Sequence, residues 1–236
     1  MSTLYLIRHG QASFGSADYD DLSALGHRQG RMVGDHFLRA GIHFNACWSG
    51  ALKRQRQTAD AVRACFRPAG AEWPRRMEAQ AWNEYDYEAV LQHLVPIIEA
   101  EDPRFDRDVK AMFANRRAFQ TVFGRVMRRW VSGQDTMAGV PSWRAFCRQV
   151  ASGLEAVMAD SERGSHVAVF TSGGPIAACV GRVLKLEPVT AIALSWQLVN
   201  ASVTRFKFSR GNLSLASFNE QGHLEGQGPE NLVTYR

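Results

Sequence analysis

The chain reads as an α/β fold with a mostly parallel central sheet sandwiched by helices, on three observations. Short apolar, β-rich runs at Thr3–Ile7 and His166–Phe170 each stop at a polar, glycine-bearing turn, as buried strands do. Between them, apolar residues recur every three or four positions over long stretches. Near the end, Val203–Phe208 and Leu213–Phe218 alternate as two strands joined through Arg210-Gly211-Asn212, which predicts a C-terminal hairpin. Residues 1–236 are expected to form a single domain, with a helical insert at about 100–160 over the ligand-binding end of the sheet.

The first strand delivers Arg8 and His9 to its carboxyl end, where Gly10 lets the backbone turn or approach a ligand closely. The crevice outside such strand ends is where α/β proteins bind ligands. A guanidinium beside an imidazole suits a phosphate, because arginine presents a rigid fork of donors. The same residues also read as a strand with a polar loop. Ser23 then caps a helix whose Met32, Val33, His36, Phe37 and Ala40 share one face, and Gly41 closes it. Phe44–Ser49 is a second strand, running into a helix from about Ala51 to Phe66 that Pro68 and Gly70 stop. Arg54, nearest the strand end, is the anion-site candidate of that helix; Arg56 and Arg63 read as solvent-facing.

Arg76–Ala79 suits a short strand, after which Glu84, Asp86 and Glu88 stand among aromatics. By themselves these acids favour a solvated helix start over a proton donor whose apolar surroundings raise its affinity for the proton. Arg104–Trp130 is expected as one long helix, its stripe from Phe105 to Trp130 serving a core or a dimer seam. Its charges are lopsided, eight basic residues against Asp106 and Asp108, which favours a solvated basic face over anion steering or the docking of a partner. Ser132-Gly133 breaks the pattern, and Pro141-Ser142-Trp143 opens another helix to about Ala159. The run from His166 to Thr171 turns through Ser172, Gly173 and Gly174 into a helix with Pro175 in its first turn. Those glycines expose backbone donors at the helix's positive end, an anion cradle or simply a tight turn. Asn200 either faces the site or caps a loop.

With 45% hydrophobic and 22% charged residues the composition is globular. A net charge of +5 suits a small anionic substrate without requiring nucleic acid, and no zinc-finger or RNA-binding aromatic motif argues for it. The seven histidines lie far apart, with neither HxH nor HExxH spacing, so no metal site is expected. There is no apolar run of about eighteen residues and no signal-peptide pattern at Met1-Ser2-Thr3. Cys47, Cys65, Cys147 and Cys179 lack CxxC spacing, and reduced thiols in a cytoplasmic protein are expected.

Three motifs in order carry a resemblance over most of the chain: Arg8-His9-Gly10, the LxRxxQTA-like helix start Leu52 to Ala59, and Asn83-Glu84-Tyr85. Together they resemble the histidine phosphatase superfamily, the group containing the cofactor-dependent phosphoglycerate mutases. The resemblance implies that His9 is a nucleophile taking a phosphoryl group on one ring nitrogen while the other is held as a donor. It implies that Arg8 and Arg54 clamp the phosphoryl oxygens, that Glu84 protonates the leaving alcohol and that Gln11 hydrogen-bonds the phosphate. Gly10 and Gly173 would lend backbone to phosphate binding, with no cofactor and no metal, and a homodimer is compatible with it.

Two departures matter. Ser172 stands where the family's SHGG-like turn has a second histidine, and losing one preorganised donor costs about 2.7–4 kcal/mol of transition-state stabilisation. His166, about 20 Å away along the strand, is too distant to substitute. Ala12 and Gly15 replace the serine and asparagine of the mutases, which argues against mutase activity. The leading expectation is a phosphomonoesterase acting through phospho-His9 on a small phosphorylated substrate. The alternative is a phosphate-binding or regulatory protein with little turnover, and a phosphoglycerate mutase ranks third.

Overall fold

The computed structural model describes residues 1–13, 20–209, 211–225 and 232–235. In chain order the strands are β1 (Ser2–Arg8), β2 (Ala46–Ser49), β3 (Arg76–Glu78), β4 (His166–Thr171), β5 (Val203–Ser209) and β6 (Asn212–Glu220). They form one sheet in the order β3-β2-β4-β1-β5-β6. The β3–β2, β2–β4 and β4–β1 pairs are parallel, and β5 and β6 add an antiparallel edge. Arg210, in the expected hairpin turn, lies outside the described residues.

Helices cover both faces, and the period of two along the central strands decides which residue meets which layer. Tyr5 and Ile7 of β1 and Ala168 and Phe170 of β4 join one core, with Val33 and Phe37 of α1 (Ala24–Arg39) and Val62 and Phe66 of α2 (Lys53–Phe66). Leu4, Leu6, Val167 and Val169 point the other way. They meet the core formed by α3 (Tyr87–Glu101), α4 (Phe105–Ala111), α5 (Arg116–Ser132), α6 (Trp143–Ala159), α7 (Gly173–Leu184) and α8 (Pro188–Ser195). No helix among the described residues is long and apolar enough to cross a membrane.

The expected helix over Arg104–Trp130 is two helices, α4 and α5. Asn115 causes the break: its side-chain oxygen accepts from the N–H groups of Arg117 (2.8 Å) and Ala118 (3.2 Å), capping a new helix instead of continuing the old one. The apolar stripe is core, since Phe105, Met112, Val122, Val126 and Trp130 are all buried within the chain. Part of the basic excess is structural. Arg129 is held by Asp135 and Glu101, and Arg125 pairs with Asp102 at 2.7 Å, tying α5 to α3 and the loop that follows α5.

β1 and β4 lie side by side and parallel, with Arg8 opposite Thr171, so their carboxyl ends open at one level. The turn after β1 is fixed by a backbone contact. A Cβ on Gly10 would stand 2.4 Å from the Gly26 carbonyl oxygen, and one on Gly26 would stand 2.1 Å from that of Gln11. Ser23 caps α1 at this point by accepting from Gly26 N–H at 3.0 Å. Gly26→Ala should therefore destabilise the fold by about 1–3 kcal/mol despite alanine's better helix propensity. Thermal melts should show a loss of roughly 2–4 °C per kcal/mol, with Gly222→Ala, which meets nothing within 4 Å, as the neutral control. Equal melting temperatures would mean the contact is soft.

Candidate active site

Four loops at the carboxyl ends of β1 to β4 supply the polar residues of the site. His9 follows β1 directly and is 6% exposed. Its main chain is anchored on both sides: N–H donates to Thr171 O (2.9 Å), and the carbonyl accepts from Ala201 N–H (3.1 Å) and Asn200 Nδ2 (3.3 Å). Nδ1 lies 2.7 Å from the Gly10 carbonyl oxygen, which only accepts, so Nδ1 carries the proton. Nε2 accepts from Arg54 Nε at 3.2 Å, as the same neutral tautomer requires. Burial pushes the imidazole well below its ordinary proton affinity; the charges of Arg54 and Arg8 push the same way, against the Gly10 carbonyl.

Arg54, in the first turn of α2, is buried and also pairs with Asp20 at 2.7 Å. Asp20 further accepts from Lys53 N–H (2.7 Å). Arg56 pairs with Glu78 at the surface and Arg63 is exposed, so neither belongs to the site. Arg8 is placed differently from a simple clamp. Its guanidinium donates to the carbonyls of Leu198 and, at 3.0 Å, Tyr235, while its charge bears on both His9 and Glu84.

Glu84 follows β3 and the 3-10 turn Gln80–Trp82, whose Trp82 ring is fully buried. Both its carboxyl oxygens accept from Gly174 N–H, at 3.1 and 3.2 Å, in the first turn of α7. Burial raises its proton affinity above the ordinary carboxyl range; the Gly174 N–H and the charges of Arg54 and Arg8 oppose this. A Cβ on Gly174 would stand 2.1 Å from Glu84 Oε1, so glycine is needed for that close approach. Asp86 instead caps α3 by accepting from Ala89 N–H (2.9 Å), and exposed Glu88 lies against Tyr87 Oη. Of the three acids, only Glu84 enters the site.

Ser172 is completely buried at the end of β4, its Oγ accepting from Gln55 Nε2 at 2.8 Å. Gly173 backs onto Ser195, whose carbonyl oxygen would lie 3.2 Å from a Cβ there. Gln11 turns its side-chain oxygen to Ser23 Oγ (2.9 Å), so that atom serves the start of α1. His166 stands at the amino end of β4, opposite Thr3, away from the site. Ala12 is buried in a bridge to Leu22, and Gly15 lies outside the described residues.

A model of the histidine phosphatase superfamily (branch 1) matches residues 4–107 and 114–221. The chain belongs to this superfamily. No functionally curated protein matches it. Among solved structures it is similar to phosphoserine phosphatase from Entamoeba histolytica in complex with 3-phosphoglyceric acid, at 20% identity and TM-score 0.65, covering 95% of this chain and 100% of that one. It is similar to a mycobacterial glucosyl-3-phosphoglycerate phosphatase in complex with inorganic phosphate (20%, TM-score 0.62, 94% and 99% covered). Phosphoglycerate mutase from Bacillus anthracis also shares the fold (17%, TM-score 0.61, 94% of each chain).

Hydrogen bonds along the start of α2 give roles to residues that sequence reasoning left without them. Thr58 Oγ1 accepts from Gly10 N–H (3.0 Å) and donates to the Arg54 carbonyl (2.7 Å), locking the His9 turn to α2. Gln57 accepts from Leu22 N–H and donates to Asp21, holding the chain that carries Asp20. Buried Gln55 donates to Trp82 O (2.9 Å) as well as Ser172, joining the ends of β3 and β4. Their polar character on an otherwise buried helix face was the available signal. By this geometry His9 should stay neutral, with its proton on Nδ1, at pH 6.5, where an ordinary histidine is half charged. Side-chain nitrogen chemical shifts would report an imidazolium at that pH if the account were wrong.

Proposed function

We propose that the protein hydrolyses phosphate monoesters through a phosphohistidine at His9. The observation that carries this reading is the imidazole held neutral by the Gly10 carbonyl, with the Nε2 lone pair facing the Arg54 guanidinium. An incoming phosphoryl group would take over the Arg54 donors and free Nε2 to attack phosphorus. The P–N bond forms as the ester P–O bond breaks, and Glu84 passes its proton to the departing alkoxide. Water then attacks phosphorus, Glu84 takes a proton back, and the P–N bond breaks to restore His9. Arg8 and Arg54 offset the charge on the phosphoryl oxygens during both transfers. A small phosphorylated metabolite as substrate is in keeping with the phosphoserine and phosphoglycerate chemistry in the names of similar structures.

A second reading, phosphate binding with little turnover, is favoured by Ser172, a neutral hydroxyl already engaged by Gln55 where the family has a cationic imidazole. Hydrolysis of p-nitrophenyl phosphate separates the two. Turnover that His9→Ala abolishes supports the esterase; equal background rates in both proteins leave only binding.

Glu84 gives a sharper test, because a proton donor matters in proportion to the basicity of the leaving group. Glu84→Gln should slow glycerol phosphate hydrolysis by about 10²–10⁴-fold and leave phosphoryl transfer from p-nitrophenyl phosphate far less affected. With its proton affinity raised, Glu84 is a donor below its titration point and loses that role as pH rises through it. The alkaline limb of the glycerol phosphate profile should therefore vanish in Glu84→Gln. An unchanged limb would place the donor elsewhere.

A further inference from the structure

The segment Leu232–Tyr235 is bonded to the residues flanking His9 on both sides. On one side the Tyr235 carbonyl accepts from Arg8 Nη2 at 3.0 Å. On the other, the Leu232 carbonyl and Thr234 Oγ1 accept from Gln29 Nε2 at 2.8 and 2.9 Å, and Gln29 Oε1 accepts from Gln11 N–H at 2.8 Å. A third path runs through Asn200. Its N–H donates to the Thr234 carbonyl (2.8 Å), its Oδ1 accepts from Thr234 Oγ1 (3.0 Å), and its Nδ2 reaches the His9 carbonyl (3.3 Å). Gln29 and Asn200 are both completely buried, so each needs the partners that the segment supplies. Leu232, buried against Val199 and Leu224, is the apolar anchor.

We propose that Leu232–Tyr235 is a positioning strap for the anion pocket, holding the Arg8 guanidinium and the main chain around His9 in their phosphate-binding pose. None of its residues touches the reacting atoms; the segment acts through Arg8, Asn200 and Gln29. An arginine on a short strand end has several rotamers, and carbonyl partners on two of its nitrogens select one of them. The Leu198 carbonyl, on the chain just ahead of Asn200, is the other partner, so the strap and this loop grip the guanidinium together. The proposal rests on the phosphate-site reading above, and phosphate affinity tests it without any turnover.

The experiment compares wild type, Thr234→Val, Thr234→Ser and a chain lacking residues 232–236, using inorganic phosphate as the probe in calorimetry. Thr234→Val keeps the shape but leaves Gln29 and Asn200 each short of a partner. It should weaken phosphate about tenfold, the 1.4 kcal/mol expected for such a loss, and raise KM more than it lowers kcat. Arg8 lowers the proton affinity of Glu84, so a loosened Arg8 should also move the alkaline limb to higher pH. Thr234→Ser should restore both, and the shortened chain should exceed Thr234→Val. Wild-type phosphate affinity in folded Thr234→Val would overturn the strap, and it decides even where the shortened chain fails to fold. An esterase whose affinity ignores these changes would lose only the strap. Turnover that survives His9→Ala, with affinity still falling tenfold, would lose only the phosphohistidine reading.

Discussion

The hydrogen bond between His9 Nδ1 and the carbonyl of the next residue, at 2.7 Å, is what the rest of the site is arranged around. A carbonyl offers no proton, so the bond fixes which nitrogen is free, and it survives only while the Gly10 turn keeps its shape. That shape is imposed from three directions: the Gly26 backbone presses against it, Thr58 Oγ1 accepts its N–H, and the Thr171 carbonyl accepts from His9 N–H. Each comes from a different element, and the parallel register of β1 and β4 makes their meeting possible. The sheet thus sets the tautomer of His9 through backbone geometry.

Charge in the site is balanced by fixed partners. Arg54 is paired with Asp20, Glu84 rests on the positive end of α7, and Arg8 is held by main-chain carbonyls. A buried guanidinium without such partners would carry a large desolvation penalty. The helix end that the sequence suggested as a phosphate cradle is used by Glu84 itself. The Gly174 N–H favours the carboxylate, yet burial outweighs it and leaves a group that holds its proton above the ordinary carboxyl range. The site thus pushes the proton affinities of a carboxyl and an imidazole in opposite directions, as acid and nucleophile roles require.

The strands and their ends were legible in the sequence because a buried strand writes itself as a short apolar run that stops at a polar turn. Arg8, His9, Arg54 and Ser172 could be placed at strand ends on that basis. Choosing Glu84 over Asp86 and Glu88 took the family motif, since all three look alike until burial is known. The helical half was less legible. The break at Asn115 lies inside an uninterrupted apolar period, and one side-chain cap decided it. Gln29, Gln55 and Asp20 were silent because their partners lie far off in sequence, and such bonds leave no spacing to read.

The most direct test of His9 as the phosphoryl acceptor is chemical trapping in Glu84→Gln with p-nitrophenyl phosphate. That ester needs little help to leave, whereas hydrolysis of the phosphoenzyme needs the missing base, so the intermediate should accumulate. The account predicts an alkali-stable, acid-labile phosphate on the peptide bearing His9. Steady release of phosphate with no such adduct, or a label on a different residue, would contradict it.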